Sequence, residues 1–272
     1  IFSVGNFELN KCYNENCLET MARMPDCFID LTVTSPPYDN LRDYKGYSFP
    51  FEEIAKELYR VTKQGGIVVW VVADATIDGS ETGTSFRQAL YFMECGFKLH
   101  DTMIYRRQAR FPDDKRYQNA FEYMFVFSKG VPKTINLLQD KPNATKGTTR
   151  IGASERNIDG SMRESWLSKT KGKIKEFGIR DNIFEYGTGF MQSSKDEIAF
   201  EHPAIFPEML AFDHIRSWSN ENDLVYDCFM GSGTTAKAAI SANRKWIGSE
   251  ISEEYCKIIE KRLQPLLHNL FT

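Results

Sequence analysis

Residues 67–73 of this 272-residue chain read IVVWVVA, a run of apolar and aromatic side chains with no charged or amide position. β-Branched and aromatic residues favour strands, and a strand without a polar side has no face to turn toward water. Strands of this kind occur in parallel sheets whose two faces are both covered by helices. The run therefore predicts an α/β protein in which residues 67–73 form an interior strand.

Helix and strand patterns alternate along the chain around this run. In the segment 49–66 the apolar residues recur at helical spacing, and the pair Gly65 and Gly66 is predicted to end the helix. Other helices are predicted in 16–27, 85–96, 202–219 and 253–267, and other strands in 28–33, 101–107 and 122–129. The alternation predicts a doubly wound, mostly parallel sheet, which is a Rossmann-like fold.

The pattern changes between residues 129 and 200, where Gly, Ser, Thr, Asn and Lys replace the periodic segments. Residues 130–180 contain eleven Lys and Arg against five Asp and Glu, a net charge of +6, so the rest of the chain must carry −9 to give the total of −3. We expect an irregular insertion that carries the positive charge. The chain would then divide into residues 1–128, 129–200 and 201–272.

Composition excludes several classes of protein. No run approaches the roughly 18 apolar residues of a membrane-spanning helix, and the N-terminus lacks the basic and then apolar layout of a signal peptide. We therefore expect a cytoplasmic protein, or a nuclear one if the host is eukaryotic. The chain starts at Ile1 rather than Met, so we expect a processed or trimmed end. The six cysteines and four histidines show no ligand spacing, and no metal site is predicted.

A glycine loop lies between a predicted strand and a predicted helix. Gly231 and Gly233 allow a sharp turn and close approach to a ligand, at a helix N-terminus that favours electronegative groups. Glu250 follows Gly231 by nineteen residues, at the end of the next predicted strand, where nucleotide-binding sheets place the carboxylate that binds ribose hydroxyls. No Gly-Lys-Ser/Thr sequence follows the loop, which argues against a P-loop. The loop also departs from the full GxGxxG pattern, with Thr234 and Thr235 after the second glycine. A ribose-bearing cofactor is predicted, with an ordinary loop as the alternative.

The motif TSPPY at 34–38 ends the strand predicted over 28–33. Two prolines in succession provide no N–H and fix φ, so the sheet cannot continue through them. The Ser35 hydroxyl and the Pro36 carbonyl would form a rigid pocket rich in acceptors, and Tyr38 would stack on a planar group. Such a pocket suits the exocyclic amine of cytosine or adenine, whose nitrogen is a poor nucleophile until acceptors hold its N–H groups. The alternative is a strand end closed by a turn.

With these motifs in order, the chain resembles the S-adenosylmethionine-dependent amino-group DNA methyltransferases of the permuted, β-type motif order. TSPPY looks like the catalytic motif of that family, and QNAFEYMFVFSKG looks like the strand before its target-recognition region. The segments HPAIFPEMLAFDHI and DCFMGSGTTAKAA look like its two cofactor motifs, and WIGSEIS looks like the strand that ends in the ribose-binding acid. The resemblance covers nearly the whole chain except residues 129–200.

The resemblance implies a catalytic half over 1–128, a target-recognition region over 129–200 and a cofactor-binding half over 201–272. It implies that Ser35 and Pro36, with Pro37, hold the target amine and that Tyr38 stacks on a base flipped out of duplex DNA. The implied cofactor is S-adenosylmethionine, with contacts from Thr34, Phe206, Pro207, Asp227, Phe229, Gly231, Ser232, Gly233, Thr234 and Glu250. Two positions depart from the family pattern. Cys228 stands where a proline is usual, and Asn16 stands where an acid often contacts the adenine.

The target base is predicted from the first residue of the motif. The motif begins with Ser35 in this chain. In the family that it resembles, serine at this position is commoner in enzymes that methylate cytosine N4, whereas Asp or Asn is commoner in adenine-N6 enzymes. We therefore expect a cytosine-N4 enzyme of DNA modification, of the restriction-modification kind, with adenine N6 as the alternative. An RNA or protein-amide methyltransferase and an inactive DNA-binding relative are further alternatives.

Duplex DNA with a flipped base is the expected partner, and a homodimer is left open. Basic residues near the core strand at 101–107 and in the insertion are predicted to contact DNA: Arg106, Arg107, Arg110, Lys169, Lys171, Lys173 and Lys175. The alternatives are an exposed basic face and arginines paired with Asp113 and Asp114. The segment 39–48 is predicted to be a mobile lid over the flipped base.

Overall fold

The computed structural model describes residues 3–4, 7–37, 49–108, 114–148, 155–163, 173–202, 204–205 and 207–268. The chain divides into two compact units. The first contains residues 1–136 and 182–272, and the second contains residues 137–181.

An eight-stranded sheet forms the centre of the described part of the first unit. In chain order its strands are β1 (Lys11–Tyr13), β2 (Ile29–Thr34), β3 (Thr62–Val72), β4 (Lys98–Arg106), β5 (Phe121–Ser128), β6 (Ile183–Glu185), β7 (Leu224–Asp227) and β8 (Lys245–Ser249). Their order across the sheet is β6-β4-β5-β3-β2-β7-β8-β1. Strand β5 runs antiparallel to both of its neighbours, and the other pairs are parallel. The prediction of a doubly wound, mostly parallel sheet is confirmed.

Six α-helices accompany the sheet in the described residues: α1 (Cys17–Arg23), α2 (Phe51–Val61), α3 (Thr84–Glu94), α4 (Glu208–Trp218), α5 (Thr234–Ser241) and α6 (Glu253–His268). Along β3, Val68, Trp70 and Val72 join one core cluster with residues of α1, α2 and α3. Ile67 and Val69, which point to the opposite face, are equally buried. Both faces of the strand are therefore covered, and each fully buried Val or Ile contributes about 1.5–3 kcal/mol relative to an exposed one.

The prediction that Gly65 and Gly66 end the second helix is wrong. Helix α2 ends at Val61, because Thr62 has extended backbone angles, φ −71° and ψ 132°. The Thr62 hydroxyl donates to the Leu58 carbonyl at 2.6 Å. Gly65 instead lies within β3 at φ +77°, where an added Cβ would come within 2.8 Å of the Lys133 side chain. Glycine is needed there for close packing and a left-handed backbone, not for helix termination.

Strands β1 and β6 were not predicted. Each contains three residues, which is too short for a period-two pattern to be recognised. They lie at the two edges of the sheet, where they pair in parallel with β8 and β4. Only the neighbouring strand makes such a short segment a strand.

The second unit is built from short ladders. Lys141–Pro142 pairs antiparallel with Phe177–Gly178, and Glu155–Arg156 pairs antiparallel with Met162–Arg163. This unit is narrower than the predicted region 129–200, whose two flanks belong to the first unit. No helix in the described residues is long and apolar enough to cross a membrane.

Candidate active site

The two central strands of the sheet, β2 and β7, define the site by their connections. The chain leaves β2 through α2 toward β3 on one side, and it leaves β7 through α5 toward β8 on the other. A crevice forms at the carboxyl ends of strands where the connections diverge in this way, and open α/β sheets bind ligands there. Thr34 is the last residue of β2 and Ser35, Pro36 and Pro37 follow it, while the glycine loop follows β7. The topology therefore brings the two predicted motifs together at the carboxyl ends of the two central strands.

A buried hydrogen bond joins the ends of these two strands. The Thr34 hydroxyl donates to Asp227 Oδ1 at 2.6 Å, and the Phe229 N–H donates to the same oxygen at 3.0 Å. Asp227 is 1% exposed, and the burial raises the pKa of its carboxyl above the ordinary value. Its other oxygen, Oδ2, is buried without a hydrogen-bond partner among the described residues. A ligand that brings a donor to Asp227 would satisfy this oxygen.

The predicted ribose-binding acid also holds the glycine loop. Glu250 follows β8, and its Oε2 accepts the Gly231 N–H at 2.8 Å, while its Oε1 accepts the Ser252 N–H at 2.9 Å. Burial raises the pKa of this carboxyl, although the two N–H donors oppose the shift. Each carboxylate oxygen has two lone pairs, so Glu250 retains capacity for further donors.

The glycines of the loop are required by the backbone and by neighbouring side chains. Gly231 has φ +52° and Gly233 has φ +82°, a region that side-chain-bearing residues rarely adopt. A Cβ on Gly231 would lie 3.2 Å from the His202 ring, and a Cβ on Gly233 would lie 3.2 Å from Ile259. The sequence pattern predicted close approach to a ligand, and the structure adds close approach to the protein itself.

The hydroxyls of the loop point to a residue that the sequence analysis missed. Ser232 Oγ and Thr234 Oγ1 accept from Arg262 Nη1 at 3.2 and 3.1 Å, and both residues are buried. Arg262 lies in α6 three residues after the buried Ile259. That spacing places Arg262 on the apolar face of the helix, and this was the available signal for a buried role.

Of the remaining predicted cofactor and catalytic residues, the structure describes Phe229, Ser35, Pro36, Pro37 and Pro207. The Phe229 ring contacts Phe49 edge-on, with centroids 5.6 Å apart. Pro36 is buried directly after β2, Ser35 and Pro37 are half-buried, and Pro207 is buried at the start of α4. Tyr38, Phe206 and the predicted lid 39–48 lie outside the described residues.

Two of the predicted DNA-contacting arginines, Arg106 and Arg107, pair with acids of neighbouring strands. Arg106 Nη1 lies 2.7 Å from Glu185 on the exposed surface, and Arg107 Nε lies 3.5 Å from Glu122. Lys173 is exposed, as is Lys175. Arg110, Lys169 and Lys171 lie outside the described residues.

Two asparagines near the site have structural contacts. Asn16 caps α1 by accepting the Leu18 N–H at 2.9 Å, and Asn14 donates to the Glu250 carbonyl at 2.9 Å. In the described part of the chain, no group of three or more His, Cys, Asp or Glu side chains is placed to hold a metal ion.

Comparison with known proteins gives the family of the chain. Residues 29–261 match the model of a family of N6/N4 methyltransferases described as DNA methylase. The chain is 62% identical over 241 residues to the orphan methyltransferase M.BamHII of Bacillus amyloliquefaciens, covering 88% of this chain and 90% of that protein.

Two solved structures share the fold. The PvuII DNA methyltransferase, described as cytosine-N4-specific, aligns with a TM-score of 0.65 at 22% identity over 95% of this chain and 91% of that chain. The crystal structure of an M1.HpyAVI–SAM complex aligns with a TM-score of 0.60 at 21% identity over 93% of this chain and 98% of that chain.

Proposed function

Since this chain belongs to the N6/N4 family of DNA methylases, we propose that it transfers a methyl group from S-adenosylmethionine to the exocyclic N4 of cytosine in duplex DNA. Membership of this family shows that the chain is a DNA methyltransferase, and S-adenosylmethionine is the cofactor that the family uses. The choice of cytosine N4 over adenine N6 is the finer part of the proposal.

The observation that carries the proposal is the hydrogen bond between Thr34 and Asp227. These residues are 193 positions apart in sequence, and their side chains meet at 2.6 Å. Thr34 is the last residue of β2, which leads into Ser35 and the proline pair, and Asp227 is the last residue of β7, which leads into the glycine loop. A methyl donor held by the loop would therefore lie beside an amine held by TSPPY.

The residues at the carboxyl ends of the strands suit S-adenosylmethionine, which carries a ribose diol, an amino group and a sulfonium charge. The Glu250 carboxylate would accept from ribose hydroxyls, as acids at the end of the second strand do in nucleotide sites. Asp227 Oδ2, which has no hydrogen-bond partner in the described part of the chain, would accept from a donor of the cofactor, and the Phe229 ring offers a flat apolar contact. When bound, S-adenosylmethionine supplies an electrophilic methyl group.

On the substrate side of the site, the residues that follow β2 must orient the target amine, which is a poor nucleophile. We assign the Ser35 hydroxyl and the Pro36 carbonyl as acceptors for the N–H groups of the target amine. Acceptors held on a rigid backbone stabilise the positive charge that arises as the nitrogen attacks, at no cost of reorganisation. The base must leave the duplex to reach them, and Tyr38 is proposed to stack on it.

Product analysis tests the proposal directly. The protein is incubated with isotopically methyl-labelled S-adenosylmethionine and unmethylated duplex DNA of mixed sequence, and in a parallel reaction with RNA of mixed sequence. Each nucleic acid is then digested to nucleosides for mass spectrometry. We expect labelled N4-methylcytosine. Labelled N6-methyladenine would refute the target base and retain the class, while label in RNA but not in DNA would refute the substrate.

Replacement of the proposed acceptor tests the catalytic assignment. We expect Ser35→Ala to lower kcat by about 10²-fold, in the range found for loss of one preorganised hydrogen-bonding group, with cofactor Kd within about twofold of wild type. Ser80→Ala, in an exposed short ladder, is the control and should have wild-type kcat. A wild-type kcat in Ser35→Ala would remove this residue from the catalytic centre.

A further inference from the structure

Arg262 is a fully buried charge at the base of the glycine loop, with no exposed side-chain surface. It lies just beyond residues 29–261, the part of the chain that matches the family model. An unpaired buried charge costs several kcal/mol, so its partners define what this residue does. All three of its nitrogens are engaged.

The guanidinium of Arg262 bonds in two directions. Toward the loop, Nη1 donates to the Ser232 carbonyl at 2.9 Å and to the hydroxyls of Ser232 and Thr234. Away from the loop, Nε donates to Asp196 Oδ2 at 2.8 Å, and Nη2 bonds to Glu208 Oε1 and to Ser194 Oγ. The same side chain thus links the loop to the first turn of α4 and to the segment before it.

A second cation completes a balanced cluster. Lys237 Nζ, in α5, lies 2.7 Å from Asp196 Oδ2 and 3.0 Å from Glu208 Oε1. Two positive side chains therefore face two carboxylates, which explains how the charges can be buried together. The Lys237 side chain has no bond to the loop among the described contacts, whereas the Arg262 side chain has three.

We propose that Arg262 is a positioning residue that presets the glycine loop for the cofactor. Glycine at 231 and 233 leaves this loop with more backbone freedom to lose on binding than other residues would. Arg262 fixes residues 232 and 234 against α4 and α6, which keeps the Gly231 N–H on Glu250 in the ligand-free protein. A preorganised loop has a smaller ordering cost when the ligand binds, so affinity for the cofactor increases.

The geometry predicts that lysine cannot replace this arginine. A guanidinium is a planar fork that can hold a carbonyl and a carboxylate on different edges at once, whereas an ammonium is a single point on a flexible stem. In Arg262→Lys the charge is kept and can remain on Asp196 or Glu208, and the bonds to Ser232 and Thr234 are removed. The variant therefore separates the bridging role from the burial of a charge.

The experiment has two parts, one on the ligand-free loop and one on cofactor binding, and the inference rests on the proposed function only in the second. Hydrogen exchange of the peptide covering residues 228–236 is compared for wild type and Arg262→Lys in the absence of ligand. Calorimetry with S-adenosylmethionine then gives Kd, and steady-state kinetics give KM and kcat. We expect at least tenfold faster exchange in this peptide, a Kd and KM at least tenfold higher, and kcat at saturating cofactor within about threefold of wild type.

Arg60→Lys is the matched control. Arg60 also bridges two helices, through the carbonyls of Met21 and Met24 and the carboxylate of Glu57, and it has no described contact with the glycine loop. This control should lower the melting temperature and leave loop exchange and cofactor Kd unchanged.

Wild-type loop exchange and Kd in Arg262→Lys would overturn the proposal, whatever the change in melting temperature. If Arg262→Lys does not fold, the double variant Arg262→Met with Glu208→Gln replaces it, because it removes one charge of each sign and leaves the Lys237–Asp196 pair. This double variant is expected to show the increases in loop exchange and in Kd that are expected of Arg262→Lys. Failure of wild type to bind S-adenosylmethionine would refute the proposed function, while the exchange measurement would still decide the role of Arg262.

Discussion

At the scale of single residues, the site contains two acids with unfavourable surroundings. Burial raises the pKa of Asp227 and that of Glu250, so the fold disfavours the charged form of each. Groups with pKa values perturbed in this way concentrate at functional sites. The ionised form of each carboxyl is the form that best accepts from donors of a ligand, but it is also the form that destabilises the folded protein. Ligand binding and stability therefore make opposite demands on these two acids.

That link gives a prediction for Asp227→Asn. The folded-state pKa of Asp227 lies above its unfolded value, so the folded state binds more protons between the two values and stability is lost as pH rises through that interval. At pH 7.5 the neutral amide escapes this loss. We expect a melting temperature at least as high as that of wild type by calorimetry, and a cofactor Kd raised at least tenfold. A melting temperature several degrees lower, or an unchanged Kd, would contradict the assignment.

At the scale of elements, helix α4 packs through a buried imidazole. His214 Nδ1 accepts from Trp218 Nε1 at 3.3 Å, its Nε2 lies 3.2 Å from the sulfur of Met124 on β5, and its ring stacks on Phe184 of β6. No carboxylate is among these contacts, and desolvation lowers the pKa of His214 from 6.5 to about 3. The helix therefore packs against the sheet around a neutral ring.

Acid should weaken this packing. The unfolded chain binds a proton at His214 below pH 6.5 and the folded chain does not until about pH 3, so stability falls as pH decreases between these values. The contribution is up to about 1.4 kcal/mol per pH unit. Urea unfolding at pH 7.5, 6.0 and 5.0 measures it, and His214→Gln should show a smaller loss. Equal losses in both proteins would contradict a neutral His214.

Prediction from sequence succeeded for elements with a long pattern and failed for those decided by neighbours. The interior strand β3 was recognisable from IVVWVVA, but its start at Thr62 was not, because the extended backbone of Thr62 ends the helix earlier than the glycines suggested. The glycine loop was recognised from its spacing, whereas the reason for Gly233, the side chain of Ile259, lies in another helix.

At the scale of the whole molecule, the basic insertion forms its own compact unit of residues 137–181. Several of its cations pair with acids of the same unit: Lys141 with Asp181 at 2.7 Å, and Lys146 with Glu176 at 2.7 Å. Exposed pairs of this kind are worth about 0–1 kcal/mol and can exchange an acid for a phosphate at little cost. We propose that this unit reads the DNA target.

The exposed lysines of the unit give a test. We expect Lys173→Gln with Lys175→Gln to weaken binding to duplex DNA and to reduce the slope of log K against log salt by about 0.9 for each phosphate that is no longer neutralised. Cofactor Kd should be unchanged. Lys257→Gln with Lys261→Gln, which also removes two positive charges, from exposed positions of α6, is the control for the change of net charge. Fluorescence anisotropy at salt concentrations between about 50 and 200 mM measures the slope, and a wild-type slope in the double variant would exclude these lysines.

The sequence by itself determined the fold class, the order of the motifs and the identities of Ser35, Asp227 and Glu250 as candidates. These follow from local periodicity, from proline and glycine stereochemistry, and from spacings within one strand–loop–helix unit. Only the tertiary structure decided that Thr34 bonds to Asp227 and that Arg262 holds the glycine loop. Such contacts depend on strand order and on the direction of each side chain after packing. No local pattern encodes either, because the partners lie far apart in the chain.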